Sequence, residues 1–197
     1  MTRTLRILGL AGSLRGDSYN QALLRAASDL AGPSVEMRVF EGLKEVPVFD
    51  EDLEADLPAG VAALRRAVEE SDAVMLATPE YNQSVPGATK NMIDWLSRGG
   101  PGLDGKPVAI LGASTGPWGT RIAQSQLRHI LVAVGAFVMP APSLFVTHAG
   151  SRFDDGGGLA DDLAERLSGV VAALSEWALR LQGNPETAPD VSSTLVG

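Results

Sequence analysis

The sequence predicts an α/β fold: a three-layer sandwich with helices on both faces of a five-stranded parallel sheet. Three observations carry that expectation. Apolar runs alternate with amphipathic segments as far as residue 182. Several of the runs are apolar throughout, as strands buried on both faces must be. Three of them lead into loops rich in Gly, Ser and Asn, and doubly wound folds hold their ligands there, beyond the carboxyl ends of the strands.

The elements follow in order. "LRILGLAG" (5–12) reads as a buried strand ending on glycine. "SYNQALLRAASDLAG" (18–32) sets Leu23, Leu24, Ala27 and Leu30 at helical spacing and stops at Gly32-Pro33. "VEMRVF" (35–40) alternates as a half-buried strand does, and 41–58 is an acidic, proline-punctuated loop carrying Phe49. "PAGVAALRRAVEESD" (58–72) is a helix and "AVMLATP" (73–79) a fully buried strand. The next helix starts near Gly87 in "PGATKNMIDWLSRGG" (86–100), and "KPVAILGAS" (106–114) is a third buried strand. "TRIAQSQLRHILVAVGA" (120–136) is a helix ended by Gly135, "FVMPAPSLFV" (137–146) holds the last strand, and 159–182 is a long final helix.

Composition narrows the function classes. The 197 residues suit one domain over 1–182, followed by a polar tail at 183–197 expected to be poorly ordered. A net charge of −8 without any Lys/Arg block argues against a nucleic-acid surface. There are no cysteines, so disulfide, thiolate and iron–sulfur chemistry is excluded, and His129 and His148 alone do not make a metal site. The N-terminal apolar run is too short for a secretory signal and no run reaches membrane-spanning length, so a cytoplasmic location with no membrane partner is expected.

Three loops carry the chemistry. "GSLRGDSYN" (12–20) has neither the Walker ending nor the dinucleotide glycine spacing. It offers the Ser13 and Ser18 hydroxyls, the Arg15 guanidinium, the Asn20 amide and the N–H groups of a helix start, which suit a terminal phosphate. The same residues fit a plain turn capped by Ser18 or Asp17. In "PEYNQSVPG" (79–87), Glu80, Tyr81 and Asn82 follow a buried strand and precede a proline-stiffened backbone. Tyr81 there either covers a flat ring or packs on the next helix. "STGPWGTR" (114–121) has glycines that let backbone approach a ligand, and Trp118 at its tip is a lid or a partner contact.

Together the motifs "GSLR-x-x-S-x-N" and "TPEYN-x-S-x-PG-x-x-KN-x-IDWLSR" resemble the NADPH-dependent FMN reductase family, the flavodoxin-like group of chromate, quinone and azo reductases. The resemblance runs over roughly 1–182 and implies a sheet order of 2-1-3-4-5. It implies that Ser13, Arg15, Ser18 and Asn20 surround the phosphate of a tightly bound FMN, with Leu14 and Tyr19 contributing backbone or packing. Pro79, Glu80, Tyr81 and Asn82 become flavin contacts, and Ser114, Thr115, Gly116 and Gly119 close the other edge of the ring. NADPH, or NADH, is the implied hydride donor, and a quinone, azo compound, free flavin or metal oxyanion the small-molecule acceptor, in a ping-pong scheme.

No catalytic side chain and no metal are assigned, because flavin N5 carries the chemistry. Arg15, Arg98 and Arg121 are the candidates for the nucleotide 2′-phosphate. A homodimer is expected, packing the helices that bear Trp95 and His129, with Met92, Ile93, Trp95 and Leu96 in core and dimer packing. Phe49 is placed within reach of a neighbouring subunit's flavin. A tetramer is also admitted, although Ser125 stands where some relatives have an interface tyrosine. Other relatives have paired glycines where this chain has Trp118-Gly119-Thr120. Two other classes remain: a one-electron carrier of flavodoxin type, disfavoured by the arginine in the first loop, and a flavin-binding regulatory protein in which Trp118 blocks the ring.

Overall fold

In the computed structural model, which describes residues 3–154 and 158–183, the apolar runs become strands of one parallel sheet. The strands are β1 (Leu5–Ala11), β2 (Val35–Phe40), β3 (Ala73–Ala77), β4 (Pro107–Ala113), β5 (Phe137–Val138) and β6 (Leu144–Val146). The helices are α1 (Tyr19–Asp29), α2 (Ala59–Glu69), α3 (Gly87–Leu96), α4 (Arg121–Ala133) and α5 (Asp161–Gln182). The order is β2-β1-β3-β4-β5, with β6 also paired to β4. Each strand pairs in parallel with its neighbour, from Leu5↔Val35 at one edge to Pro107↔Phe137 at the other.

Successive side chains of the central strands enter opposite cores, as the two-residue period of a strand demands. Leu5, Ile7, Met75, Ala109 and Leu111 face a core built with α1 and α5. Leu8, Leu10, Val74, Leu76 and Ile110 face a second core built with α2, α3 and α4. Both faces are therefore covered, which accounts for the unbroken apolar runs.

The expected single strand over 137–146 is instead two short pieces, both beside β4. The intervening 139–143 segment contains Pro140 and Pro142, which have no N–H to give to a ladder. Arg128 of α4 spans this break, donating to the Met139 carbonyl at 2.8 Å and to Ser143 Oγ at 2.9 Å. Residues 41–58 are not entirely irregular: two short 3-10 turns form at Gly42–Glu45 and Glu51–Leu53. Gly135, at φ +77, ends α4 in the left-handed conformation that favours glycine.

Two expectations for the surface are corrected. Met92, Ile93, Trp95 and Leu96 are all buried within this chain, so Trp95 has no face left for a second subunit. Its indole N–H donates to the Pro47 carbonyl at 2.8 Å, because residues 46–49 fold over α3. Phe49 packs edge-on against Trp95, with ring centroids 4.9 Å apart, instead of reaching outward. Asn91 fixes the same segment, donating to the Pro47 carbonyl and accepting from the Phe49 N–H. Residues 184–197 of the tail lie outside the described residues. Among those described, no helix is long and apolar enough to cross a membrane.

Candidate functional site

The parallel strands bring the three loops to one sheet edge, because β1, β3 and β4 are neighbours and all point the same way. A cleft of about 350 Å³ opens there, lined by Gly12, Leu14, Arg15, Tyr81, Pro86, Gly87 and Ala88. The first and second loops thus share a wall with the start of α3. Pro86 and Gly87, which end the second loop, and Ala88 join this lining, although none of them was singled out as a contact from sequence. Gly87 opens α3, and a Cβ added there would meet nothing within 4 Å.

The first loop leaves β1 with the Gly12 N–H still donating to the Ala77 carbonyl at 2.8 Å. Ser13 is buried and accepts from the Arg15 N–H at 3.4 Å. Arg15 is exposed, and its guanidinium donates back to the Asp17 carbonyl at 3.3 Å. Ser18 caps α1, its Oγ accepting from the Asn20 N–H at 3.3 Å, and no acidic residue occupies the first turn. The capping alternative is thus realised at Ser18, while the loop keeps one exposed cation beside a helix start.

Asn20 and Tyr19 have other engagements. The buried Asn20 amide donates to the Ala113 carbonyl at 3.0 Å and accepts from the Ala113 N–H at 2.9 Å. It therefore ties α1 to the end of β4. The Tyr19 ring lies 5.1 Å from that of Phe153, in the packing beneath α1.

In the second loop, Pro79 is buried and its carbonyl accepts from Thr78 Oγ1 at 2.8 Å. Glu80 turns away from the cleft: Oε2 accepts from the N–H groups of Ile122 and Ala123, each at 2.9 Å, and caps α4. The α4 cap residue Thr120 makes no such bond of its own. Tyr81 and Ser84 exchange backbone hydrogen bonds around Asn82 and Gln83, both left-handed at φ 52 and 58. Gln126 of α4, unforeseen from sequence, holds this turn by accepting from Ser84 Oγ at 2.8 Å and donating to the Gln83 carbonyl at 3.3 Å.

The third loop is clasped to the segment after β6. The Ser114 N–H donates to the Val146 carbonyl, that of Ala149 to the Ser114 carbonyl, and that of His148 to the Gly116 carbonyl, at 3.0 to 3.1 Å. Ser114 Oγ accepts from the Gly116 N–H at 3.2 Å. Thr115 is exposed, and Gly119 is buried with φ +65 against Phe145. These four residues are on the same edge as the cleft, and none is in its immediate lining.

The other arginine candidates are committed elsewhere. Arg98 lies past the far end of α3, bonded to Glu54 at 2.8 Å, and that carboxylate raises its pKa. Arg121 sits over the Phe145 ring, 4.5 Å from its centroid. His148 is exposed on the third-loop clasp and left-handed at φ 48. His129 is exposed on α4. Among the described residues no group of three His, Cys, Asp or Glu is arranged to hold a metal.

Comparison with known proteins agrees with this arrangement. Residues 5–151 match the family described as NADPH-dependent FMN reductase. The chain is 39% identical over 186 residues to an NAD(P)H-dependent FMN reductase of Pseudomonas aeruginosa, covering 93% of this chain and all of that protein. It is 36% identical to a quinone reductase of Escherichia coli, over 92% of this chain and all of the relative. The solved structure of FerB, a flavoenzyme NAD(P)H:(acceptor) oxidoreductase from Paracoccus denitrificans, superposes with a TM-score of 0.81 at 34% identity. That match covers 89% of this chain and 98% of that one.

Proposed function

The chain belongs to the NADPH-dependent FMN reductase family, and on that premise we propose that it reduces quinones with electrons from NADPH or NADH. In the net reaction NAD(P)H, a proton and a quinone give NAD(P)+ and a hydroquinone. The hydride supplies both electrons and one proton, and solvent supplies the other. FMN, when bound, carries the two electrons between nucleotide and acceptor.

The observation that carries this reading is the cleft between the first two loops, whose lining contains one charged residue, Arg15. The donor set fits a monophosphate: an exposed guanidinium, backbone N–H groups and the Ser13 hydroxyl, beside a helix whose first turn holds no carboxylate. The clearance at Gly87 and the Tyr81 side chain suit a flat ring laid along the same cleft. Ser18 and Asn20 serve the phosphate indirectly, by capping α1 and by tying it to β4. The third loop, held by the Ser114 and Gly116 hydrogen bonds, stands on the same sheet edge, toward the second edge of the ring.

The lining holds no carboxylate or imidazole, and proton delivery is assigned to solvent. An open acceptor face also admits azo compounds, free flavin and chromate. A homodimer fits the exposed face of α4, where Ile122, His129 and Val132 stand on one side of the helix.

The test is anaerobic mixing of the FMN-loaded protein with NADPH. Bleaching of the flavin bands at least as fast as steady-state quinone turnover supports the assignment. Protein that takes up no FMN on titration, or whose flavin NADPH and NADH leave oxidised, refutes it.

A further inference from the structure

Each of the three loops around the site exposes one large apolar side chain: Leu14 at 44%, Tyr81 at 49% and Trp118 at 73%. Ile122, in the first turn of α4 just after the Trp118 loop, is exposed as well. Single exposed apolar residues need no explanation, whereas a group of them on loops that converge on one sheet edge marks a binding surface.

The backbone enforces the exposure. Tyr81 opens a turn whose two central residues are left-handed and which Gln126 holds from α4. Trp118 is followed by Gly119 at φ +65, buried against Phe145, and the loop before it is clasped through Ser114 and His148. Glu80 links the Tyr81 loop to the first turn of α4, directly after the Trp118 loop. Withdrawing either loop would break these bonds.

Charge narrows the occupant. The protein carries a net charge of −8, and Arg15, the one charged residue of the cleft lining, is assigned to the phosphate. Arg121 is stacked on Phe145. The cleft lining therefore offers no second cation to a small oxyanion, while aromatic faces reward burial of a flat apolar ring.

We infer that Trp118, with Tyr81 and Leu14, forms an apolar rim that selects neutral fused-ring quinones over single-ring quinones and over oxyanions. This specificity rests on the quinone-reducing assignment above. The rim acts by burying ring area, so its effect scales with the size of the acceptor.

The test compares kcat/KM for 1,4-naphthoquinone, 1,4-benzoquinone and chromate in the FMN-loaded wild type, Trp118→Ala and Trp118→Phe. The naphthoquinone-to-benzoquinone ratio is expected to favour the larger ring, to fall roughly tenfold in Trp118→Ala and to recover in Trp118→Phe. Both acceptors share the nucleotide half-reaction, so loss of flavin or of NADPH affinity cancels from the ratio. Wild-type protein without quinone turnover brings down the functional assignment itself. Normal turnover with no preference for the larger ring, a ratio unmoved by Trp118→Ala, or a preference for chromate overturns the rim alone. So does light scattering that shows a wild-type dimer and a Trp118→Ala monomer, because the tryptophan is then covered by a second copy.

Discussion

Glu80 reaches from the loop after β3 to cap α4, with Oε2 2.9 Å from the Ile122 N–H. The same oxygen accepts from Ala123, so one carboxylate satisfies two of the four N–H groups that a helix start leaves unpaired. Its charge also sits at the positive end of the helix dipole. Glu80→Ala should cost about 1–2 kcal/mol in urea unfolding, the usual range for a lost cap. Glu80→Gln keeps an acceptor oxygen and should leave the pH profile of kcat unchanged. A loss of several orders of magnitude in Glu80→Gln, or a displaced acid limb, would instead make Glu80 a proton donor.

Asn20 is a strut between α1 and β4 through its paired bonds to Ala113. Truncation orphans a buried N–H and a buried C=O at once. Asn20→Ala should therefore lower stability by about 2–4 kcal/mol in the FMN-free protein, taking each lost buried partner at the ordinary cost. Asn20→Asp keeps the acceptor and loses the donor, and should fall between wild type and alanine. A variant that binds FMN more weakly at unchanged stability would restore Asn20 to the role of direct phosphate ligand.

Arg15 predicts the opposite separation. It is exposed and its single side-chain bond is to the Asp17 carbonyl, so the fold does not depend on it. Arg15→Ala should leave the melting temperature of the FMN-free protein within about 2 °C of wild type, as surface substitutions do. FMN affinity, followed by fluorescence quenching, should drop by about ten- to a hundredfold, the worth of a charge-assisted hydrogen bond. Unchanged affinity would remove the first loop from the phosphate site.

What could be read from sequence divides by the range of the interactions. Strands β1, β3 and β4 were legible because burial on both faces suppresses polar positions along a short run. Ser18 was legible as a cap because its partner Asn20 is two residues away. The roles of Asn20 and Glu80 were not, since their partners lie 93 and 42 to 43 residues distant and nothing local marks them. Trp95 misled for the same reason. Helical spacing shows that it faces something apolar, but only the fold of residues 46–49 over α3 shows that the cover is internal. The break between β5 and β6 was present in sequence as two prolines, and the apolar residues around them outweighed that signal.

Gly12 and Thr89 make the most exposed test of how the site is held. A Cβ on Gly12 would lie 2.0 Å from Thr89 Oγ1, closer than real Cβ contacts come, and a tight 3.2 Å from Thr89 Cβ. Thr89 is fully buried in the first turns of α3, and its hydroxyl donates to the Gly12 carbonyl at 3.4 Å. The phosphate loop and the helix that walls the cleft thus meet at a point with no room to yield. Gly12→Ala should cost about 1–3 kcal/mol, as overpacking of a tight contact does. It should also weaken FMN binding, because the loop and α3 must separate to admit the methyl. Thr89→Ala alone loses one long hydrogen bond and should cost about 1 kcal/mol. In the double variant the clashing oxygen is gone, so its loss of stability should fall short of the sum of the single losses by about 1 kcal/mol or more, a coupling expected only for residues in contact. Urea unfolding of the four proteins measures the cycle. Strict additivity would mean that the loop relaxes away from α3, and that Gly12 is required for a reason other than its approach to Thr89.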